Sequence, residues 1–229
     1  MRCLPLLRAL HHALTYHSNL AWSQCTLAPV LLRGDKPVQL YVSHMPCGHC
    51  RQFLNEMSHG GELRIHVGGK SWTLDELLPV SFKPSDIAGG YCVGERAPLT
   101  RTAMALRAPP AAVDAPLLDA ALHAAAAAHV PHTGHRSGVA LRAGAGGVVV
   151  QGAYLENAAF NPSLPPLQSA LAAFAGSYGR QSFETITDVV LADQEGLAVS
   201  VFDVVASTTQ LLRAVAPHAR LTVVTFTVA

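Results

Sequence analysis

Between Val38 and His44 the chain reads VQLYVSH, with apolar and polar side chains in alternation. That period of two predicts a half-buried strand. A turn at Met45-Pro46 follows. A helix is predicted from Gly48 to Met57, with Phe53, Leu54 and Met57 on one face and Gly60 and Gly61 as its stop. LRIHVGG reads as the next strand, closed by Gly68 and Gly69. SWTLDELLPVSF predicts a short helix with Ser71 or Thr73 as its cap, ending at Pro79. From residue 83 to 114 the pattern fades into Pro, Gly and Ala, as a linker would. An Ala-rich helix is predicted at 115–128, then strands at GVALRA and VVVQGAYLE. The loop NAAFNPSLPP leads to a helix at 167–174, the strand TITDVVLAD, the helix VASTTQLLRAV and the closing strand RLTVVTFTV. Alternating strands and helices predict an α/β fold with strands buried under helices. The segments divide the chain into a first domain at 1–82, a linker at 83–114 and a second domain at 115–229.

A weak internal repeat crosses that division. A helix near Gln24, a strand, and a helix carrying RQFL (Arg51 to Leu54) are matched later. The later copy has a helix with Gln168, a strand, and a helix carrying TQLL (Thr209 to Leu212). This register sets Cys47 opposite Val205 and Cys50 opposite Thr208, so the thiols belong to the first copy alone.

Composition narrows the classes of function. Half the 229 residues are apolar and 14% are charged, which excludes a disordered chain. A formal net charge of +1 leaves no broad basic face for nucleic acid or an anionic membrane. No apolar run approaches the ~20 residues that span a bilayer. The N-terminal stretch MRCLPLLRALHHALTYH has Arg and Leu without acidic residues, which leaves an organellar transit peptide open. The cysteines are Cys3, Cys25, Cys47, Cys50 and Cys92, an odd number without framework spacing. That suits a reducing compartment, and the cytosol is the expected location.

The candidate chemistry sits at SHMPCGHCRQFLNEM, Ser43 to Met57. Cys47 and Cys50 stand at the start of a predicted helix, behind Pro46, whose missing N–H costs nothing there. A helix start lowers thiol pKa and favours the thiolate that binds metal. Cys-x-x-Cys fits three readings: two ligands of a zinc site, a redox pair, or no special role. A redox motif usually holds Pro between its cysteines, whereas Gly48 and His49 lie between these. A zinc ribbon needs a second Cys-x-x-Cys, and the sequence has none. His123, His129, His132 and His135 cluster near a helix end and read as scattered surface and packing histidines rather than a second metal site.

The stretch PCGHCRQFL closely resembles the zinc-binding helix of cytidine deaminases, especially the plant form. LLPVSFKPSDI (Leu77 to Ile87) looks like the segment that follows that family's catalytic core. ENAAFNPS (Glu156 to Ser163) followed by PLQSAL resembles the degenerate second half of its two-domain, homodimeric members. The resemblance implies an α-β-α sandwich with a mixed sheet, duplicated, its second copy degenerate. It also implies zinc held by one His and two Cys, with Cys47 and Cys50 as the sulfur ligands. A Glu two residues after the His relays protons while water attacks C4 of cytosine, turning cytidine into uridine. The implied partners are a pyrimidine nucleoside and a second subunit, either a copy of this chain or an intact paralogue.

This sequence departs from the family at the His and the Glu. No Glu occurs between Met1 and Pro46. Alignment on Gln24 puts Ala21 at the zinc His and Ser23 at the catalytic Glu. Alignment on Leu10 to His12 puts Thr15 and His17 there instead. No catalytic residue is therefore assigned, and His17 is the candidate third ligand, with His44 and His49 behind it. The chain is expected to begin inside the family's first domain. In the second half, Pro165 to Gln168 fill the corresponding positions. Glu156 and Asn157 resemble a substrate-gripping loop, and without metal beside them they read as structural; the substrate-binding residues remain unassigned.

Overall fold

The computed structural model describes residues 14–15, 38–57, 60–107, 113–144, 147–178, 182–195 and 203–228. The chain divides into two units, Met1–Arg96 with Asn157–Ser163, and Ala97–Glu156 with Leu164–Ala229.

In the first unit β1 (Leu14–Thr15), β2 (Gln39–Tyr41), β3 (Arg64–Val67) and β4 (Lys70–Thr73) form a sheet in that order. The pairs β1–β2 and β2–β3 are parallel and β3–β4 is antiparallel, so the sheet is mixed. Parallel neighbours need a crossover, and between β2 and β3 it carries α1 (Gly48–Leu54). Helix α1 buries Cys50, Phe53 and Leu54, while Leu40 and Ile65 fill the adjacent sheet positions of this core.

Two sequence expectations are corrected here. The helix stops at Leu54 rather than Met57, because the amides of Glu56 and Met57 turn back to the carbonyls of Phe53 and Leu54. Ser71 to Thr73 are strand rather than helix start. Gly68 and Gly69, with φ of 54° and 81°, make a two-residue hairpin turn that returns the chain along β3. Thr73 does cap the next helix, α2 (Leu74–Leu77): its hydroxyl accepts from the Glu76 amide and the Glu76 carboxylate accepts from the Thr73 amide.

The second unit is a five-stranded mixed sheet between helices. Its elements are β5 (Met104–Arg107), α3 (Ala115–Ala126), β6 (Ser137–Ala143), β7 (Val148–Ala153), α4 (Pro166–Tyr178), β8 (Ile186–Gln194), α5 (Val204–Val215) and β9 (Arg220–Val228). The strand order is β5-β9-β8-β6-β7, parallel between β8 and β9 and antiparallel elsewhere. Strand β5 lies within the Pro- and Ala-rich stretch 83–114 and pairs along the edge of β9.

Alternation along β6 separates the two faces. Ala140 packs with Leu117, Ala121, Leu122 and Ala125 of α3 on one side. Val139 and Leu141 pack with Leu167, Leu171 and Phe174 of α4 and with Val204 and Leu212 of α5 on the other. Side chains such as Phe174 and Phe226 are fully buried, each worth about 1.5–3 kcal/mol relative to exposure. Glycine lets both helices approach closely. A Cβ on Gly138 would lie 2.2 Å from the backbone nitrogen of Ala125, and one on Gly152 would lie 2.2 Å from that of Ala170. The unit is thus an α-β-α sandwich.

The strand–helix–strand crossover appears in both units. β2–α1–β3 and β8–α5–β9 each join parallel neighbours. In the register that sets RQFL beside TQLL, three buried positions coincide: Pro46, Cys50 and Leu54 in one, Val204, Thr208 and Leu212 in the other, while buried Phe53 faces the partly buried Leu211.

Candidate metal centre

The Cys47–Cys50 pair is placed by the turn from β2 into α1. Cys47 is the N-cap residue in extended conformation, and its carbonyl accepts the first helical bond, from Arg51 at 3.0 Å. Cys47 is exposed, while Cys50, one turn on, is 6% exposed. Their sulfurs are 3.3 Å apart. The backbone N–H of Cys50 does most to hold the Cys47 thiol below its ordinary pKa; the Cys50 thiol and the His49 N–H add to it against partial desolvation.

Arg51 fixes this turn, which the sequence did not reveal. Its Nε donates to the carbonyl of Pro46 at 2.8 Å and its second guanidinium nitrogen to the carbonyl of Leu77, also at 2.8 Å. One side chain thus ties the residue before Cys47 to the end of α2. The next residues along α1 hold the following loop: Gln52 Nε2 and Asn55 Nδ2 both donate to the carbonyl of Phe82, at 2.6 and 3.0 Å. The segment LLPVSF beside the cysteine helix therefore serves as its backbone support.

A second support comes from far along the chain. The Ala158 amide donates to Glu56 Oε1 at 2.6 Å, and Asn157 Nδ2 donates to the Gln52 carbonyl at 3.2 Å. Glu56 is 1% exposed. Asn157–Ser163 thus folds as part of the first unit although about a hundred residues separate it from α1. Close by, burial pushes the Cys92 thiol up to about 11, with Glu95 and Glu56 adding to the rise.

Glu156, the neighbour of Asn157, is held in the second unit. Its carboxylate accepts from the amides of His132 (2.8 Å) and Thr133 (3.2 Å) and from the Thr133 hydroxyl. Three protein donors on a carboxylate 1% exposed describe a structural group.

The other candidates separate from the cysteines. His44 and His49 are exposed, and His44 Nδ1 lies 3.0 Å from Ser43 Oγ. Among the described residues no three His, Cys, Asp or Glu side chains gather as a metal site, so His44 and His49 do not complete the pair. His17, Ala21 and Ser23 lie outside the described residues, and of Thr15 only the pairing of its backbone with Tyr41 is described. His135 Nε2 lies 2.9 Å from Asp193 Oδ1, and His129 is buried, so this cluster is absorbed into the second unit's packing.

In the second unit the positions matching the cysteines and the family's Glu carry no Cys, His or acidic side chain. Leu167, where the resemblance places the Glu, is fully buried in one cluster with Val204, and Val205 packs against it. Thr208, opposite Cys50, is buried as well.

The pair fits part of a zinc site. Two thiolates each about 2.3 Å from a tetrahedral zinc stand roughly 3.8 Å apart, a small opening from the observed spacing. Among the described residues no third His, Cys, Asp or Glu joins the pair.

The fold and the thiol pair define a mixed-sheet α/β protein with a candidate metal site at a helix start. Comparison with known proteins gives the family. Residues 74–206 match the model of the cytidine and deoxycytidylate deaminase zinc-binding region. The chain is 37% identical over 201 residues to the cytidine deaminase of Yersinia pestis (strain Pestoides F), covering 82% of this chain and 61% of that protein. The cytidine deaminase of Yersinia pseudotuberculosis serotype O:1b (strain IP 31758) gives the same figures. The chain belongs to the cytidine deaminase family. It spans 61% of the length of these curated relatives. Among solved structures, the cytidine deaminase from Burkholderia pseudomallei aligns with TM-score 0.41 and 19% identity, covering 51% of this chain and 93% of that one. That from Mycobacterium leprae aligns with TM-score 0.36 and 22% identity, covering 46% and 83%.

Proposed function

We propose that the protein acts in the zinc-dependent hydrolytic deamination of cytidine and deoxycytidine to uridine and deoxyuridine, a step of pyrimidine salvage. In this reading it is a two-domain cytosolic member of the family and works as a homodimer. Cys47 and Cys50 are two of its zinc ligands, and the second domain at 115–229 is a non-catalytic copy. The observation that carries the reading is the sulfur pair 3.3 Å apart at the start of α1, in a chain 37% identical to cytidine deaminases.

Zinc, when bound, supplies the activation of water for attack on C4 of the ring. The chain's own residues supply the setting. The amides of Cys50 and His49 stabilise negative charge on the Cys47 sulfur. Arg51 holds the turn that aims it. Gln52 of α1 and Glu56 in the turn after it seat the 157–163 loop.

The test is uridine formation from cytidine by the purified, zinc-loaded chain, followed by chromatography. The reading predicts turnover that Cys50→Ser abolishes. Zinc-loaded wild type that forms no uridine overturns it for the chain on its own.

A second reading is favoured by one observation: no Glu occurs between Met1 and Pro46, where the family carries its catalytic acid and base. Loss of that group typically costs about 10²–10⁴ in rate. The chain is then a non-catalytic subunit that pairs with an intact paralogue. An inactive chain that co-purifies with an intact family member as a mixed dimer supports this reading. One that stays apart from such a member removes it.

A further inference from the structure

We propose that Cys47 and Cys50, when free of metal, form a reversible dithiol–disulfide couple that reacts with low-molecular-weight disulfides. The proposal goes beyond the deaminase reading and rests on the same pair of sulfurs. Four observations carry it. Neither cysteine is joined in a disulfide. Their sulfurs stand 3.3 Å apart, so closing to a bond of about 2.05 Å asks for little more than 1 Å of movement. Their exposure is unequal: Cys47 is open to solvent and Cys50 is buried directly behind it. Gly48, one of the two residues between them, has no described atom within 4 Å of where a Cβ would stand, so no described residue covers Cys47 on that side.

This is an attacking thiol backed by a resolving thiol. The Cys47 thiolate attacks one sulfur of the small disulfide. The reagent's S–S bond breaks, a mixed disulfide forms on Cys47, and one thiolate leaves. The Cys50 sulfur, giving up its proton, then attacks the Cys47 sulfur. The mixed disulfide breaks, the Cys47–Cys50 bond forms, and the second thiolate leaves. Two protein thiols are oxidised, one reagent disulfide is reduced to two thiols, and the protons from the cysteines end on the departing thiolates. Zinc on the pair occupies both sulfurs and blocks the first step, so oxidation and metal binding exclude one another.

The experiment uses the full chain, stripped of metal with a chelator and incubated with glutathione disulfide, then digested and mapped by mass spectrometry. The expected product is a peptide containing Cys47 and Cys50 that is two hydrogens lighter and reverts with excess reduced glutathione. In Cys50→Ser the reaction is expected to stop with one glutathione retained on Cys47. The proposal is overturned if the wild-type peptide stays a dithiol, if glutathione persists on wild-type Cys47, or if the oxidised cysteines pair elsewhere. A parallel sample preloaded with zinc separates the two readings. At least about tenfold slower oxidation there is expected from a metal held on both sulfurs. Oxidation at an unchanged rate counts against zinc at the pair and leaves the couple standing.

Discussion

Gly152→Ala is expected to lower the melting temperature by about 5–10 °C, a loss of roughly 2–3 kcal/mol. The new Cβ would lie 2.2 Å from the backbone nitrogen of Ala170 and 2.6 Å from the carbonyl oxygen of Pro166. Both are main-chain atoms of α4, so no rotamer change relieves the clash and the helix must lift off the sheet. Leu167, Leu171 and Phe174 would then lose contact with Val139 and Leu141. Gly138→Ala should behave alike through α3, where the nearest atoms are the backbone of Ala125 and Ala121. The control is Gly48→Ala, which meets no described atom within 4 Å and should change stability by no more than about 0.5 kcal/mol. Thermal denaturation followed by circular dichroism reads all three. Equal melting temperatures for Gly152→Ala and Gly48→Ala would remove the close helix–sheet packing from the account.

Glu156→Ala is expected to cost about 3–5 kcal/mol in denaturant unfolding of the second unit. The carboxylate collects the amides of His132 and Thr133 and the Thr133 hydroxyl in an interior position. Thr133 Oγ1 also accepts from the His135 amide at 3.0 Å, so removing the carboxylate disturbs the turn leading into β6. Glu156→Gln keeps the volume and one acceptor oxygen but sets an NH₂ against donors, and should fall between wild type and Ala. If Glu156→Ala unfolds with wild-type midpoint and slope, the carboxylate is free for another role and its structural reading fails.

The second unit was the more legible half of the fold. Strands β6, β8 and β9 run for seven to nine residues rich in Val, Leu, Ile, Ala and Thr, and α5 is bounded by an Asp203 cap and Pro217, so composition and stop signals agree. In the first unit the signals were shorter. KSWT is four residues of mixed polarity, and the informative pair was Gly68-Gly69, whose positive φ values make the hairpin. MALR in β5 is an edge strand between Ala- and Pro-rich segments and shows little alternation. The hydrogen bonds from 157–163 to Gln52 and Glu56 leave no periodic trace, because they join side chains to backbone across about a hundred residues.

The site was legible in its spacing. Cys47 and Cys50 were named from Cys-x-x-Cys at a predicted helix start, and the structure brings their sulfurs together. Arg51 was quoted in the sequence motif, but its reach to Pro46 and Leu77 depends on where α2 ends, which only folding reveals. The two alignments set Ala21 and Ser23, or Thr15 and His17, against the family's His and Glu; none of these side chains lies among the described residues.

The most direct measurement is zinc content per chain, by inductively coupled plasma mass spectrometry, on reduced wild type beside Cys47→Ser and Cys50→Ser. Two-sulfur ligation predicts about one zinc per wild-type chain and at least about tenfold less in either variant. Wild type without zinc, or variants that hold as much as wild type, would contradict it.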